Sequence, residues 1–295
     1  MSAAPGDALP AQRVDAHTHV WELTRRPQPW IDPQTMAVLH SDHTLTDLRS
    51  ELQGADVHGA VLVQVLNDAD ETDDYLWLGT EPMIRGVVGW ADLLSSEVET
   101  RLDALSNHPS GSRLVGIRHQ ALAEPDPAGW LQRVAEGRAL AALARRGLTF
   151  DLMFRPEHLS VVHDVTRRHG ATTFVLNHAG KVPVATGWRS AESERWAAAI
   201  TELATSDNLV CKLSGLTTMA HLDRWTVADL RPFVDHLLDR FGPDRLMFGS
   251  DWPVSLRAGT YQITVDAVGE LLAALTAPER AAVLGGTAVR TYTLS

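Results

Sequence analysis

Short apolar runs and longer amphipathic stretches alternate along most of the chain. Eight of the short runs are rich in Val, Leu and Ile and are apolar nearly throughout, which is typical of parallel β-strands buried on both faces. We therefore predict strands at residues 13–21, 59–65, 84–91, 114–120, 148–154, 172–178, 209–214 and 245–251.

The stretches between these runs are rich in good helix formers. We predict helices at residues 44–52, 73–82, 95–107, 129–146, 156–169, 192–205, 227–241 and 261–275. Eight strands that alternate with helices predict an α/β fold, a (β/α)8 TIM-like barrel. A doubly wound sheet usually carries a glycine-rich turn after its first strand, whereas Asp15-Ala16-His17-Thr18-His19 has no glycine. We predict a loose N-terminal tail over residues 1–12 and a single barrel domain over residues 13–295.

Polar side chains occur where three of the predicted strands end. Asp15, His17 and His19 alternate at the end of the first strand, and this spacing predicts that all three share one face. His178 ends the sixth strand, and Asp251 ends the eighth. We expect these groups at the rim formed by the carboxyl ends of the strands, where barrel enzymes carry their catalytic residues. Because imidazoles and a carboxylate suit zinc or a similar ion, His17, His19, His178 and Asp251 are candidate metal ligands.

Composition narrows the class of protein. Hydrophobic residues make up 44% of the chain and charged residues 21%, as in folded globular proteins. The net charge of −11 opposes binding to nucleic acid or to an anionic membrane, and no apolar stretch approaches the length of a membrane helix. The lone cysteine, Cys211, excludes an internal disulfide and is typical of a reducing compartment. Since the first residues lack the features of a signal peptide, we predict a cytoplasmic enzyme, and whether it is a homo-oligomer stays open.

Three motifs taken together resemble the amidohydrolase superfamily. The chain is similar to its amidohydrolase-related branch, which includes L-fucono- and L-rhamnonolactonases and pyrone- and muconolactone-type lactonases. The resemblance covers nearly the whole chain and implies a (β/α)8 fold, hydrolysis of a cyclic ester, and a water-activating role for Asp251. Many members bridge two metals with a lysine after the fourth strand, but here Arg118-His119-Gln120 follows, so a binuclear centre is not expected. The motifs are Asp15-Ala16-His17-Thr18-His19, Leu176-Asn177-His178-Ala179-Gly180 and Phe248-Gly249-Ser250-Asp251-Trp252-Pro253.

The expected reaction is the opening of a small-molecule sugar-acid lactone by water. Asp251 would act as the general base, with His178 as a second catalytic residue. In one mechanism a single divalent ion, for which zinc is the leading candidate, would polarise the carbonyl. In a metal-independent mechanism the histidines would donate hydrogen bonds to the oxyanion instead. Both routes stay open. Two alternatives are a lactonase for an anionic pyrone or muconolactone and a metal-dependent decarboxylase of the same superfamily.

Further residues near the strand ends are candidates for substrate binding. Arg118 can donate two hydrogen bonds to hydroxyls or a carboxylate, and a flat indole offers an apolar face to a sugar ring. Lys212 and Lys181 are the only lysines among 26 basic residues, which favours a specific role for Lys212. Gln64 and Asp151 are equally compatible with structural hydrogen bonds inside the barrel. The candidate set is Trp21, Trp30, Gln64, Arg118, His119, Asp151, Lys212 and Trp252.

Overall fold

The strands form one ring of eight. The structure is a computed structural model that describes residues 12–295, so the predicted tail lies outside the described residues except for Gln12. Each strand pairs in parallel with the next one along the chain. The ring closes where the Asp251 N–H donates to the His17 carbonyl at 2.9 Å and the His19 N–H donates to the Trp252 carbonyl at 2.8 Å. The predicted barrel is confirmed, with strands β1 (Val14–Thr18), β2 (Gly59–Val63), β3 (Ile84–Gly89), β4 (Leu114–Arg118), β5 (Thr149–Leu152), β6 (Phe174–Leu176), β7 (Leu209–Leu213) and β8 (Leu246–Phe248).

Helices surround the ring, and one prediction about them is wrong. The helix predicted over residues 129–146 is two helices, because Gly137 is extended and separates them. Asp126 begins the first of the two, since its side chain accepts the Gly129 N–H at 3.0 Å. Within residues 12–295, no helix combines the length and the apolar character needed to cross a bilayer. The helices are Leu45–Gly54, Ala69–Leu78, Val98–Ser106, Pro127–Glu136, Ala139–Arg145, Leu159–Arg168, Ala191–Leu203, Val227–Phe241, Tyr261–Leu271, Ala277–Ala281 and Thr287–Tyr292.

Apolar side chains fill both sides of the ring. Val61, Val175 and Met247 belong to a buried cluster inside the barrel, and Tyr292 from the last helix packs into the same cluster. A larger cluster lies between the strands and the surrounding helices. With both faces packed, the strands form a rigid scaffold whose carboxyl ends carry the polar side chains described below.

A bulge in β1 changes the predicted orientation of Asp15. Asp15 pairs with Ala60 and Thr18 with Leu62, so β1 advances three residues where β2 advances two. The Asp15 carboxylate consequently lies among the outer helices, where it accepts the Tyr261 hydroxyl at 3.0 Å. His17 and His19 instead face the interior of the barrel mouth. The prediction that all three side chains share one face is therefore wrong, because extra backbone in the strand breaks its strict alternation.

Candidate active site

Asp251 lies at the centre of three imidazoles. Its Oδ1 is 3.4 Å from His19 Nε2, 3.7 Å from His17 Nε2 and 3.9 Å from His178 Nε2. All four side chains are buried. Asp251 itself has a φ of 61°, a left-handed conformation that is unfavourable for a non-glycine residue. The four side chains thus meet in one small space, although they come from three distant parts of the chain: the end of β1, the end of β6 and the segment after β8.

Hydrogen bonding fixes the tautomer of His19. Its Nδ1 lies 2.6 Å from the Val63 carbonyl, which can only accept, so the proton sits on Nδ1. The lone pair on Nε2 then faces the Asp251 carboxylate across 3.4 Å. Two acceptors that face each other at this distance favour a cation or a hydrogen-bond donor between them.

The donor set fits a single divalent ion. One ligand atom from each of His17, His19 and Asp251 lies within 4.8 Å of the others. Two imidazoles and a carboxylate with room for a further ligand form a set that zinc and similar ions accept. The Nε2 of His178, 3.9 Å from the shared carboxylate oxygen, lies beside this set.

Burial keeps the imidazoles neutral, whereas neighbouring groups keep the carboxylate ionised. Desolvation lowers the pKa of His17, His19 and His178 below the usual value of 6.5. Burial alone would raise the pKa of Asp251, but the electrostatic effect of its neighbours, which include the Lys181 ammonium, outweighs burial and lowers the pKa. At neutral pH the site therefore contains a carboxylate that is free to accept a proton.

Arg118 is hydrogen-bonded to Gln64 and lies beside the histidines. Gln64 accepts hydrogen bonds from the guanidinium through its carbonyl and through its side-chain oxygen, the latter at 3.2 Å from Nε and 3.0 Å from Nη2. The Nη1 of Arg118 lies 3.2 Å from His17 Nε2. Gln64 thus positions Arg118, and Arg118 itself lines the cavity.

Lys212 and Asp151 lie on the other side of His17, inside the barrel. Neither has any exposed surface, and the Lys212 ammonium is 2.8 Å from Asp151 Oδ2 and 3.3 Å from His17 Nδ1. Asp151 also accepts the Tyr292 hydroxyl at 2.8 Å and the Thr149 hydroxyl at 2.9 Å. These contacts pair the buried ammonium, which would otherwise be costly, and place both residues beneath the histidines, away from the cavity lining.

A cavity of about 460 Å³ opens above this cluster. Of the predicted substrate-binding residues, Arg118 and Trp30 line it, and Trp30 is 36% exposed. The cavity is large enough for a monosaccharide-sized ligand. Its lining comprises His19, Pro29, Trp30, Val65, Leu66, Asn67, Arg118, Gln120, Ala123, Met153, His178, Lys181, Asp251 and Val254.

Three other predicted residues lie outside the lining of this cavity. The Trp21 indole N–H donates to the Ser41 carbonyl at 2.9 Å. Trp252 is buried and packs edge-on against a neighbouring imidazole. His119 stacks on Trp130 with ring centres 4.0 Å apart. These side chains support the loops and helices around the rim.

A left-handed turn over His178–Lys181 carries two of the lining residues. Its φ values are 53° at His178, 48° at Ala179, 68° at Gly180 and 57° at Lys181. L-residues pay about 1–2 kcal/mol each for this conformation, so the surrounding structure must hold it in place. Sequence reasoning missed Lys181 as a site residue, although its rarity and its position directly after the Asn177-His178-Ala179-Gly180 motif were signals.

The family of the chain follows from a match that spans the barrel. Residues 14–294 match the amidohydrolase family, and the chain belongs to that family. The resemblance predicted from the three motifs is confirmed.

Two relatives and a solved structure match most of the chain. An L-fucono-1,5-lactonase of Burkholderia multivorans is 39% identical over 292 residues, which cover 96% of this chain and 97% of the relative. An L-fucono-1,5-lactonase of Burkholderia ambifaria is 36% identical over 254 residues, 84% of this chain and 83% of the relative. The crystal structure of a Burkholderia multivorans amidohydrolase with bound zinc superimposes with a TM-score of 0.90 at 35% identity and covers 97% of this chain and 100% of that one.

Proposed function

We propose that the chain is a lactonase that hydrolyses the 1,5-lactone of a sugar acid, with L-fucono-1,5-lactone as the first substrate to test. The observation that carries this proposal is the position of Asp251: one carboxylate oxygen lies within 4 Å of three imidazole nitrogens and opens into the cavity. Two relatives that match most of the chain are named for this activity.

The reaction needs a base, a place for negative charge and a proton for the leaving oxygen. Asp251 removes a proton from water, and the water oxygen forms a bond to the lactone carbonyl carbon. The π electrons of the carbonyl move to its oxygen, which Arg118 is placed to stabilise. When the carbonyl re-forms, the bond from carbon to the ring oxygen breaks, and the proton held by Asp251 passes to that oxygen.

The bound ion and the ring contacts are finer parts of the proposal. His17, His19 and Asp251 would hold one divalent ion, for which we propose zinc, and the ion would supply Lewis-acid polarisation of the carbonyl. Trp30, at the open side of the cavity, would pack against the C–H face of the sugar ring. The lone cysteine and the acidic composition favour a cytoplasmic location.

The test is a panel of aldonolactones followed with a pH indicator. We expect acid release well above spontaneous opening, and we expect Asp251→Asn to lower turnover by about 10²–10⁴-fold while a melting curve still shows a folded protein. Asp239→Asn, an exposed aspartate beside Arg240, is the matched control and should behave as wild type. Loss of CO₂ from phenolic acids without lactone opening would replace the proposal with a decarboxylase. Unchanged turnover in Asp251→Asn would remove Asp251 as the base.

A further inference from the structure

Lys181 is a charged group in the cavity to which the proposed reaction has so far given no role. Its side chain lines the cavity together with Arg118 and Asp251, and these three are the charged side chains of the lining. It is one of two lysines in the chain, and the other, Lys212, is paired with Asp151 inside the barrel. Lys181 therefore lies in the cavity, whereas many of the arginines lie on the outer surface.

The left-handed turn directs Lys181 to the same side as His178. Residues three positions apart on a helical turn project to one side, and both residues line the cavity. The middle of the turn is fixed from behind: the indole N–H of the buried Trp196 donates to the Ala179 carbonyl at 2.8 Å. Gly180 packs tightly, since a Cβ at this position would lie 3.1 Å from a methyl of Leu159. The strained turn thus holds His178 and Lys181 as a pair.

The charges of the cavity match the charge that lactone opening creates. Before reaction the substrate is neutral, and the lining holds two cations, Arg118 and Lys181, and one anion, Asp251. When Asp251 takes the proton of the attacking water, its negative charge is in effect transferred to the substrate carbonyl oxygen. Both cations then face an oxyanion, and after ring opening they face the carboxylate of the product.

We propose that Lys181 is a catalytic residue whose ammonium stabilises the oxyanion formed at the lactone carbonyl and then binds the carboxylate of the open acid. The assignment rests on the proposed lactonase function. Burial lowers the pKa of Lys181 and the Asp251 carboxylate opposes that change, which is consistent with an ammonium that lies close to the reacting carboxylate.

Two measurements on matched variants test the assignment. Lys181→Met removes the charge at nearly constant length, and Lys181→Arg keeps the charge. Arg167→Met removes an exposed cation on the helix Leu159–Arg168 and is the control. We expect Lys181→Met to lower kcat for L-fucono-1,5-lactone by about 100-fold and to weaken binding of L-fuconate, measured by calorimetry, by about tenfold. Lys181→Arg should recover part of both losses, and Arg167→Met should match wild type in both.

The two readouts separate failure of this assignment from failure of the proposed function. If the wild type opens lactones and Lys181→Met retains its kcat and its affinity for L-fuconate, Lys181 has no role in the reaction. If the wild type opens no lactone, the lactonase proposal fails, while equal affinity of wild type and Lys181→Met for L-fuconate still overturns the assignment of Lys181 as an anion-binding group. Melting curves check that each variant folds, and Lys181→Gln replaces Lys181→Met if the latter does not.

Discussion

Glu71 anchors the segment that forms one wall of the cavity. Its Oε2 accepts the backbone N–H groups of Val65 and Leu66, each at 2.8 Å, and the residue is only 2% exposed. Val65, Leu66 and Asn67 all line the cavity. Burial raises the pKa of Glu71 to about 7, although the two N–H groups and the charge of Arg26 act to lower it.

The raised pKa makes the folded state sensitive to pH. The folded protein binds the Glu71 proton more tightly than the unfolded chain, whose pKa is near 4.5. The contribution of Glu71 to the free energy of unfolding therefore falls as pH rises from 4.5 to about 7, by about 3 kcal/mol in total. Glu71→Gln keeps an oxygen acceptor for both N–H groups but cannot ionise, so the variant should not lose this stability.

Urea unfolding of wild type and variants at pH 5 and pH 8 measures the effect. Relative to wild type, Glu71→Gln should gain about 2–3 kcal/mol between the two pH values. Glu71→Ala should be less stable than Glu71→Gln at both, because it leaves two buried N–H groups without an acceptor, at about 1–3 kcal/mol each. A stability difference between Glu71→Gln and wild type that stays the same at pH 5 and pH 8 would refute the reasoning.

A second glutamate, Glu279, provides a control because its pKa is shifted in the opposite direction to that of Glu71. Glu279 accepts hydrogen bonds from the Thr276 hydroxyl and backbone N–H, which lower its pKa below the usual value. Its contribution to stability is present above the unfolded pKa and is lost as pH falls below it. Glu279→Gln should therefore be less stable than wild type at pH 8, the reverse of the result for Glu71→Gln.

Three further variants test the contacts that surround the histidines and the proposed binding of zinc. Tyr292→Phe removes the 2.8 Å hydrogen bond to Asp151 and should cost about 1–2 kcal/mol in urea unfolding; no change would exclude that bond as a stabilising contact. At Gly215 the backbone φ is 64°, and the Cβ of an alanine would lie 2.9 Å from His178 Nδ1. Both the melting temperature and kcat of Gly215→Ala should therefore fall, and wild-type values would contradict this packing. Arg118→Met should bind zinc more tightly than wild type in calorimetric titrations after chelator treatment. Weaker binding would show that Arg118 and the ion do not compete for His17 Nε2.

The barrel could be predicted because burial on both faces makes each strand a nearly continuous apolar run. All eight runs are strands, and β4 begins at the predicted residue, Leu114. Helix boundaries were less predictable, since Gly137 lies among good helix formers and nevertheless takes an extended conformation that separates two helices. The last helix, Thr287–Tyr292, is short and had no strong pattern.

The four residues at the centre of the site could be predicted because each lies at or just after the end of a strand and carries chemistry that a core avoids. What the sequence could not show is backbone geometry that departs from the regular period. The bulge between Asp15 and Thr18 sends Asp15 to the outer layer, and the left-handed turn brings Lys181 into the cavity. Both features are irregularities that apolar periodicity cannot encode.

The hydrogen-bond donors around His17 limit its ability to bind a metal ion. A neutral imidazole has one N–H and one lone pair, and it therefore accepts only one hydrogen bond. His17 nevertheless has a nitrogen donor at each end, with Arg118 Nη1 3.2 Å from Nε2 and Lys212 Nζ 3.3 Å from Nδ1. A divalent ion on Nε2 would need the same lone pair that the guanidinium N–H approaches, and its charge would repel the guanidinium. Metal binding at His17 and the contact with Arg118 would therefore exclude each other, so binding of an ion there would require Arg118 Nη1 to move away from the ring.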